Sequence, residues 1–149
     1  MSRQIEDYLR ARGVQYFRGH HDDEYFFFVD FPAGAYGGRL SVHIEVSDAE
    51  PEDVLVTISP DRYYPAEKVQ WLGMLADQWN AEHSVVRAVV HGSCDPRLVG
   101  LQARSRHQPA DVAALGGFVE AAVAGGVDLF GRISGAGAAG GQTGLRDAG

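Results

Sequence analysis

Arg39-Leu40-Ser41-Val42-His43-Ile44-Glu45-Val46 is the stretch whose reading decides the fold. Leu40, Val42, Ile44 and Val46 fall on one side of an extended chain and Ser41, His43 and Glu45 on the other, the period-two alternation of a half-buried antiparallel strand. Beyond the acidic loop from Ser47 to Asp53, Val54, Val56 and Ile58 alternate with Leu55 and Thr57 in a further strand that Pro60 stops. The two strands are expected to share one buried face. On the other side of Arg39, the break Pro32-Ala33-Gly34-Ala35-Tyr36-Gly37-Gly38 separates this strand from Glu24 to Phe31. The aromatic density of that segment favours strand over helix. With Val14 to Arg18 and the polar break Gly19-His20-His21-Asp22-Asp23, it reads as a hairpin.

Further out, the period changes from two to 3.6. Ile5, Tyr8, Leu9 and Arg12 share one side of a helix from Ser2 to Arg12, which Gly13 ends as a C-cap. Val69, Leu72, Leu75, Ala76 and Trp79 recur at helical spacing over Glu67 to Glu82, with Pro65 placed where a first turn tolerates its missing N–H. Ser84 to His91 and Arg97 to Arg106 are two more strands, joined by the turn Gly92-Ser93-Cys94-Asp95-Pro96. A last helix is expected from about Pro109 to Phe130. From Gly131 onward Ile133 and Leu145 are the only large apolar residues, so 131–149 reads as a Gly/Ala-rich flexible tail behind a domain of residues 1–130. The order α-β-β-β-β-α-β-β-α implies an α+β fold, with a twisted, mostly antiparallel sheet of about five or six strands.

The chain has 149 residues and a formal charge of -7, which argues against a general nucleic-acid binder or an anionic membrane surface as partner. Its single cysteine, Cys94, excludes an intramolecular disulfide and a Cys-rich zinc site, and fits a cytoplasmic setting. No signal-peptide pattern or bilayer-spanning apolar run is evident, since Val112 to Val127 is interrupted by glycines and Glu120.

Few groups suggest chemistry. His20-His21-Asp22-Asp23-Glu24 is the densest set of metal-ligand types, but neighbours on one turn splay apart, and an ion would need His43 or His91 brought near. The alternative is a solvated turn. Cys94 lies close to His91, yet its nearest charge is Asp95, which opposes thiolate formation. Phosphate-binding, dinucleotide-binding and hydrolase signatures are absent, and no cofactor is implied. The acidic residues from Glu45 to Asp53 lack the calcium-loop pattern and read as a solvated loop. Arg104 and Arg106, by alternation, share a basic face of the last strand suited to a carboxylate-bearing partner.

Eight aromatics crowd the early hairpin, and Phe26 and Phe28 must point away from Phe27. One of its faces belongs to the core; the other is covered by a helix, by a second copy or by another protein. Tyr25, Phe26, Phe28, Arg104 and Arg106 are therefore the expected partner-binding residues of a non-enzymatic domain that engages another protein or itself. The competing reading is a small metal-dependent sensor or enzyme using the histidines and Cys94.

The leading helix Ile5 to Arg12, the strict strand Leu40 to Val46, the helix ending Leu75-Ala76-Asp77-Gln78-Trp79-Asn80, and the two strands plus long helix that follow together resemble the YbjN family. Asn80, closing its helix before the strand at Ser84, is the most family-like detail. The resemblance spans nearly all of Ser2 to Phe130. It implies the fold of class I type III secretion chaperones and a protein-binding or regulatory role of the kind described as sensory transduction regulation. A homodimer is compatible with it, and it carries no catalytic residues.

Overall fold

The computed structural model describes residues 2–19, 23–31, 38–47, 53–108 and 112–140. Arg39–Val46 lies within a ten-residue strand, β3 (Gly38–Ser47), which from Leu40 onward alternates between buried and half-buried as its chemistry requires. It lies between β2 (Glu24–Phe31) and β4 (Asp53–Pro60), with Val42 opposite both Phe27 and Ile58. Leu40, Val42, Ile44, Val46, Val54, Val56 and Ile58 do share one buried face. A one-residue slip in either ladder would turn this whole apolar set toward water, so the pattern itself specifies the register.

β1 (Phe17–Arg18) adds a short outer strand on β2. On the other side β4 pairs with β7 (Leu98–His107), which also pairs with β6 (Arg87–Gly92) and with a two-residue strand β5 (Tyr64–Pro65). Val99 is paired to both Tyr64 and Gly92, so β5 and β6 occupy opposite edges of β7, and β6 is an edge strand. Every pairing among the described residues is antiparallel, and the sheet has seven strands rather than five or six. β5 escaped sequence reading because two residues carry no period. Pro65 closes that strand and, where its missing N–H costs nothing, caps the start of a short 3-10 helix, Ala66–Lys68, that leads into α2 (Val69–Glu82).

The helices lie on one face. Ile5 and Leu9 of α1 (Ser2–Arg12) and Leu115, Val119, Ala122, Val123, Leu129 and Phe130 of α3 (Val112–Gly140) complete the core against the sheet. Gly13 ends α1 with φ 76°, and its N–H reaches the Arg10 carbonyl at 3.1 Å, as a left-handed C-cap requires. α3 comes within van der Waals contact of β4 because residue 126 is glycine. A Cβ there would lie 2.8 Å from the Cγ2 of Ile58.

The expected boundary at Phe130 is corrected. α3 runs ten residues further, to Gly140, and Ile133 is only 2% exposed. Arg132 ion-pairs with Asp128 at 3.4 Å and with Glu82 of α2 at 3.2 Å, and its guanidinium lies over the Trp79 ring at 5.0 Å. Glycine lowers helix propensity without forbidding helix, and the tertiary anchor of Ile133 outweighs it here. Residues 141–149 of the expected tail lie outside the described residues. Ala114–Ser134 is long and apolar enough, by length and composition, to cross a membrane, and its inward residues are buried on the sheet.

α2 is tied to the β6 edge by side chains rather than by apolar packing alone. The Trp79 indole N–H donates to the Val86 carbonyl at 2.9 Å. The Asn80 amide donates to the Ala88 carbonyl at 3.0 Å and accepts from the Ala88 N–H at 2.8 Å, so it takes the place of a neighbouring strand, which β6 lacks on that side among the described residues. Asn80 therefore does not close its helix, which continues to Glu82; it covers the open edge of the sheet.

Candidate functional site

Because α1, α2 and α3 share one side, the opposite face of the sheet carries no helix among the described residues. Strand register places its side chains in rows. Phe26, His43, Thr57, Arg104 and Arg87 form one row across β2, β3, β4, β7 and β6; Glu24, Glu45, Leu55 and Arg106 form the next. Carboxylates collect at one end and guanidinium groups at the other.

At the β1–β2 edge, Phe17 is 51% exposed and Phe28 43%. Their rings meet edge to face with centroids 6.5 Å apart, and the Arg39 guanidinium lies 4.7 Å from the centre of the Phe28 ring. Together with Val14, Gln15 and Asp30 they line a groove of about 430 Å³. Phe26 is half-buried, stacked on the His43 imidazole at 4.4 Å. Tyr25 is corrected: it is fully buried, tilted against Tyr16 at 6.2 Å, and its place in the core removes it from any contact surface. The aromatic run is thus divided by the pleat, with Tyr25 and Phe27 inward and Phe26 and Phe28 outward.

Arg104 and Arg106 are exposed on the outer face as expected. Arg87, which sequence reading left aside, lies directly across the ladder from Arg104. These three arginines surround Leu55, Val85 and Val89 in an open groove of about 400 Å³. Like charges directly opposite one another destabilise a strand pairing. Arg87 donates to the carbonyls of Asn80 and His83, both at 3.0 Å, and Arg106 pairs with Asp53 at 3.4 Å. Only the strand pairing reveals that Arg87 belongs here.

At the acidic end Glu24 and Glu45 are register partners, with His43 between them: its Nε2 is 3.7 Å from Glu24 and its Nδ1 3.3 Å from Glu45. The expected ligand turn contributes Glu24 to this group; His20, His21 and Asp22 lie outside the described residues. Cys94 is exposed. His91 bonds through Nδ1 to the Gly92 carbonyl at 2.9 Å and lays its ring over Gly100, where a Cβ would be 2.4 Å away. That packing occupies His91. Asp95 is held below the usual carboxylate range chiefly by the hydrogen bonds that Arg97 donates to it, so Arg97 belongs to the turn and not to the basic face.

Elsewhere, Tyr8 of α1 donates to Glu120 of α3 and accepts from Arg12 at 3.1 Å, with Arg12 also paired to Glu120. Burial first, and the Glu120 hydrogen bond second, push the Tyr8 phenol up to about 12. This group fastens two helices away from the open face, and burial likewise raises Tyr64.

Among solved structures, this arrangement superposes on one from E. coli at a TM-score of 0.68, over 89% of this chain and 90% of that one, with 14% sequence identity. The fold is that of YbjN. The E. coli YbjN is described as a candidate transcription regulator. No protein-family model matches the chain, and no curated protein does. The YbjN likeness matches the α+β architecture expected from the sequence, with its mostly antiparallel sheet and three helices.

Proposed function

We propose that this chain is a non-enzymatic regulatory domain that binds another protein through the outer face of its sheet. The observation that carries the reading is that face itself. It bears two exposed phenylalanines at one edge and three arginines around apolar side chains at the other, with no helix laid over it among the described residues. Aromatic and arginine side chains are enriched in protein interfaces, the first for buried area and the second for planar recognition of carboxylates. The regulatory part of the proposal draws on the YbjN fold, and fold alone is an analogy. Phe17 and Phe28 would be the apolar anchors and Arg87, Arg104 and Arg106 would orient a carboxylate-bearing partner.

The test is quantitative co-purification from the native host of wild type, Phe17→Ser/Phe28→Ser and Arg104→Glu, each verified as folded. A protein held by wild type is expected to be lost from both variants, with Arg10→Ala on α1 as a control that retains it. An unchanged set of co-purifying proteins in both variants would sink the proposal.

A further inference from the structure

We propose that His43 and Glu24 form a binding site for a divalent metal ion of the zinc class on the outer face of the β2–β3 pair, with Glu45 orienting the imidazole. Register builds the site: Glu24 lies opposite Glu45, and Phe26 opposite His43, so two carboxylates and an imidazole converge from adjacent strands. One donor atom from each of the three residues can be chosen so that all lie within 4.8 Å of one another.

The two ring nitrogens have different surroundings. Glu45 Oε1 lies 3.3 Å from Nδ1, and its negative charge favours the tautomer with the ring proton on that side, which would leave Nε2 with its lone pair. This is the outer-shell arrangement of metal-ligating histidines, in which a carboxylate takes the other N–H and fixes the ring. Nε2 itself is buried from solvent and has no hydrogen-bond partner among the described residues. It faces Glu24 Oε2 at 3.7 Å. That separation is too long for a hydrogen bond, whose N···O distance runs about 2.7–3.2 Å. It does suit two ligands sharing one ion, which at zinc bond lengths of about 2.0–2.2 Å and tetrahedral angles stand roughly 3.4 Å apart. Phe26, stacked on the imidazole with the ring planes 4° from parallel, holds the ring in that orientation.

A cation between them also answers an electrostatic problem. Glu24 and Glu45 are like charges directly across a ladder, an arrangement that disfavours the pairing unless a positive charge is present. Water would complete the coordination. The ion would clamp β2 to β3 beside the exposed aromatic edge; this proposal is independent of any docking partner.

Zinc titration of the full chain by calorimetry is the test, together with the 15N resonances of the His43 ring in wild type. Wild type is expected to bind one equivalent, with the Nε2 resonance shifting strongly on zinc addition while Nδ1 keeps its proton. His43→Gln and Glu24→Gln should each weaken binding at least tenfold, and Glu45→Gln by about tenfold, the usual cost of losing an outer-shell partner. The proposal is overturned if wild type shows no heat and no Nε2 shift with zinc in excess, or if Nε2 is protonated and stays so. It is equally overturned if His43→Gln binds as wild type does, because the ion then sits elsewhere. The ring resonances are read on the unmodified chain, so a variant that failed to fold would not remove the test.

Discussion

Replacing Asn80 offers the sharpest probe of how this fold manages its open edge. The Asn80 amide makes two hydrogen bonds with the backbone of Ala88, at 2.8 and 3.0 Å, on the side of β6 that pairs with no strand among the described residues. Ala88 is 5% exposed, so water cannot replace them freely. Leaving a buried donor or acceptor unpaired costs about 1–3 kcal/mol, and each bond contributes about 0.5–1.5 net. Asn80→Ala strips two such groups at once, so a loss of about 2–4 kcal/mol is expected after partial relaxation. Against a total stability of about 5–15 kcal/mol this is large. With a urea m-value of about 2 kcal/mol/M the midpoint should fall by roughly 1–2 M with m unchanged. Asn80→Asp separates the two bonds. The carboxylate still accepts from the Ala88 N–H, but its second oxygen faces the Ala88 carbonyl, lone pair against lone pair, which raises the folded-state pKa. A raised pKa contributes stability present below the unfolded value, about 3.9, and lost as pH rises above it. The Asp variant should therefore be least impaired in acid relative to wild type and as impaired as Asn80→Ala at neutral pH. Urea melts at two pH values test this. A change below about 0.5 kcal/mol for Asn80→Ala would refute the reasoning, because it would mean that the β6 edge does not depend on its side-chain substitute.

Two glycines of α3 should respond oppositely to alanine. Gly117 has nothing within 4 Å of an added Cβ, so Gly117→Ala is expected to gain up to about 1 kcal/mol from helix propensity, whereas Gly126→Ala drives a methyl into Ile58 and should lose about 1–3 kcal/mol. Thermal melts of the pair decide it, and equal signs would contradict the packing described. The Tyr8 phenol, pushed up to about 12 mainly by burial, adds stability that is fully present below its unfolded pKa near 10 and is lost as pH rises through 12. Tyr8→Phe should flatten the stability curve in that alkaline window and remove the latest-titrating phenol from the ultraviolet absorbance titration.

Much of this was legible in the chain. Strict alternation from Leu40 to Val46 is a local property that any antiparallel sheet must respect, and helical spacing in α1 and α2 works the same way. Gly13 could be assigned as a helix stop because a positive φ is a backbone demand that one residue type meets best. The pleat alone divides Phe26 and Phe28 from Phe27, although it does not say which set faces the core. The end of α3 lies beyond any local signal for the converse reason. Local glycine content argued for a tail, while the hold on residues 131–134 comes from Trp79 and Glu82, the latter 50 residues away in sequence.

Composition and period determined that this is one α+β unit, acidic, with an aromatic hairpin that exceeds what a single core face can absorb. Only the tertiary structure decided which face that hairpin presents. It buried Tyr25, placed Arg87 opposite Arg104, set His43 between Glu24 and Glu45, and turned Asn80 from a helix end into an edge cover. The physical reason is common to all four. Period tells a residue which side of its own strand or helix it occupies, but what stands opposite is set by register and layer order between segments far apart in sequence, and no local pattern encodes that.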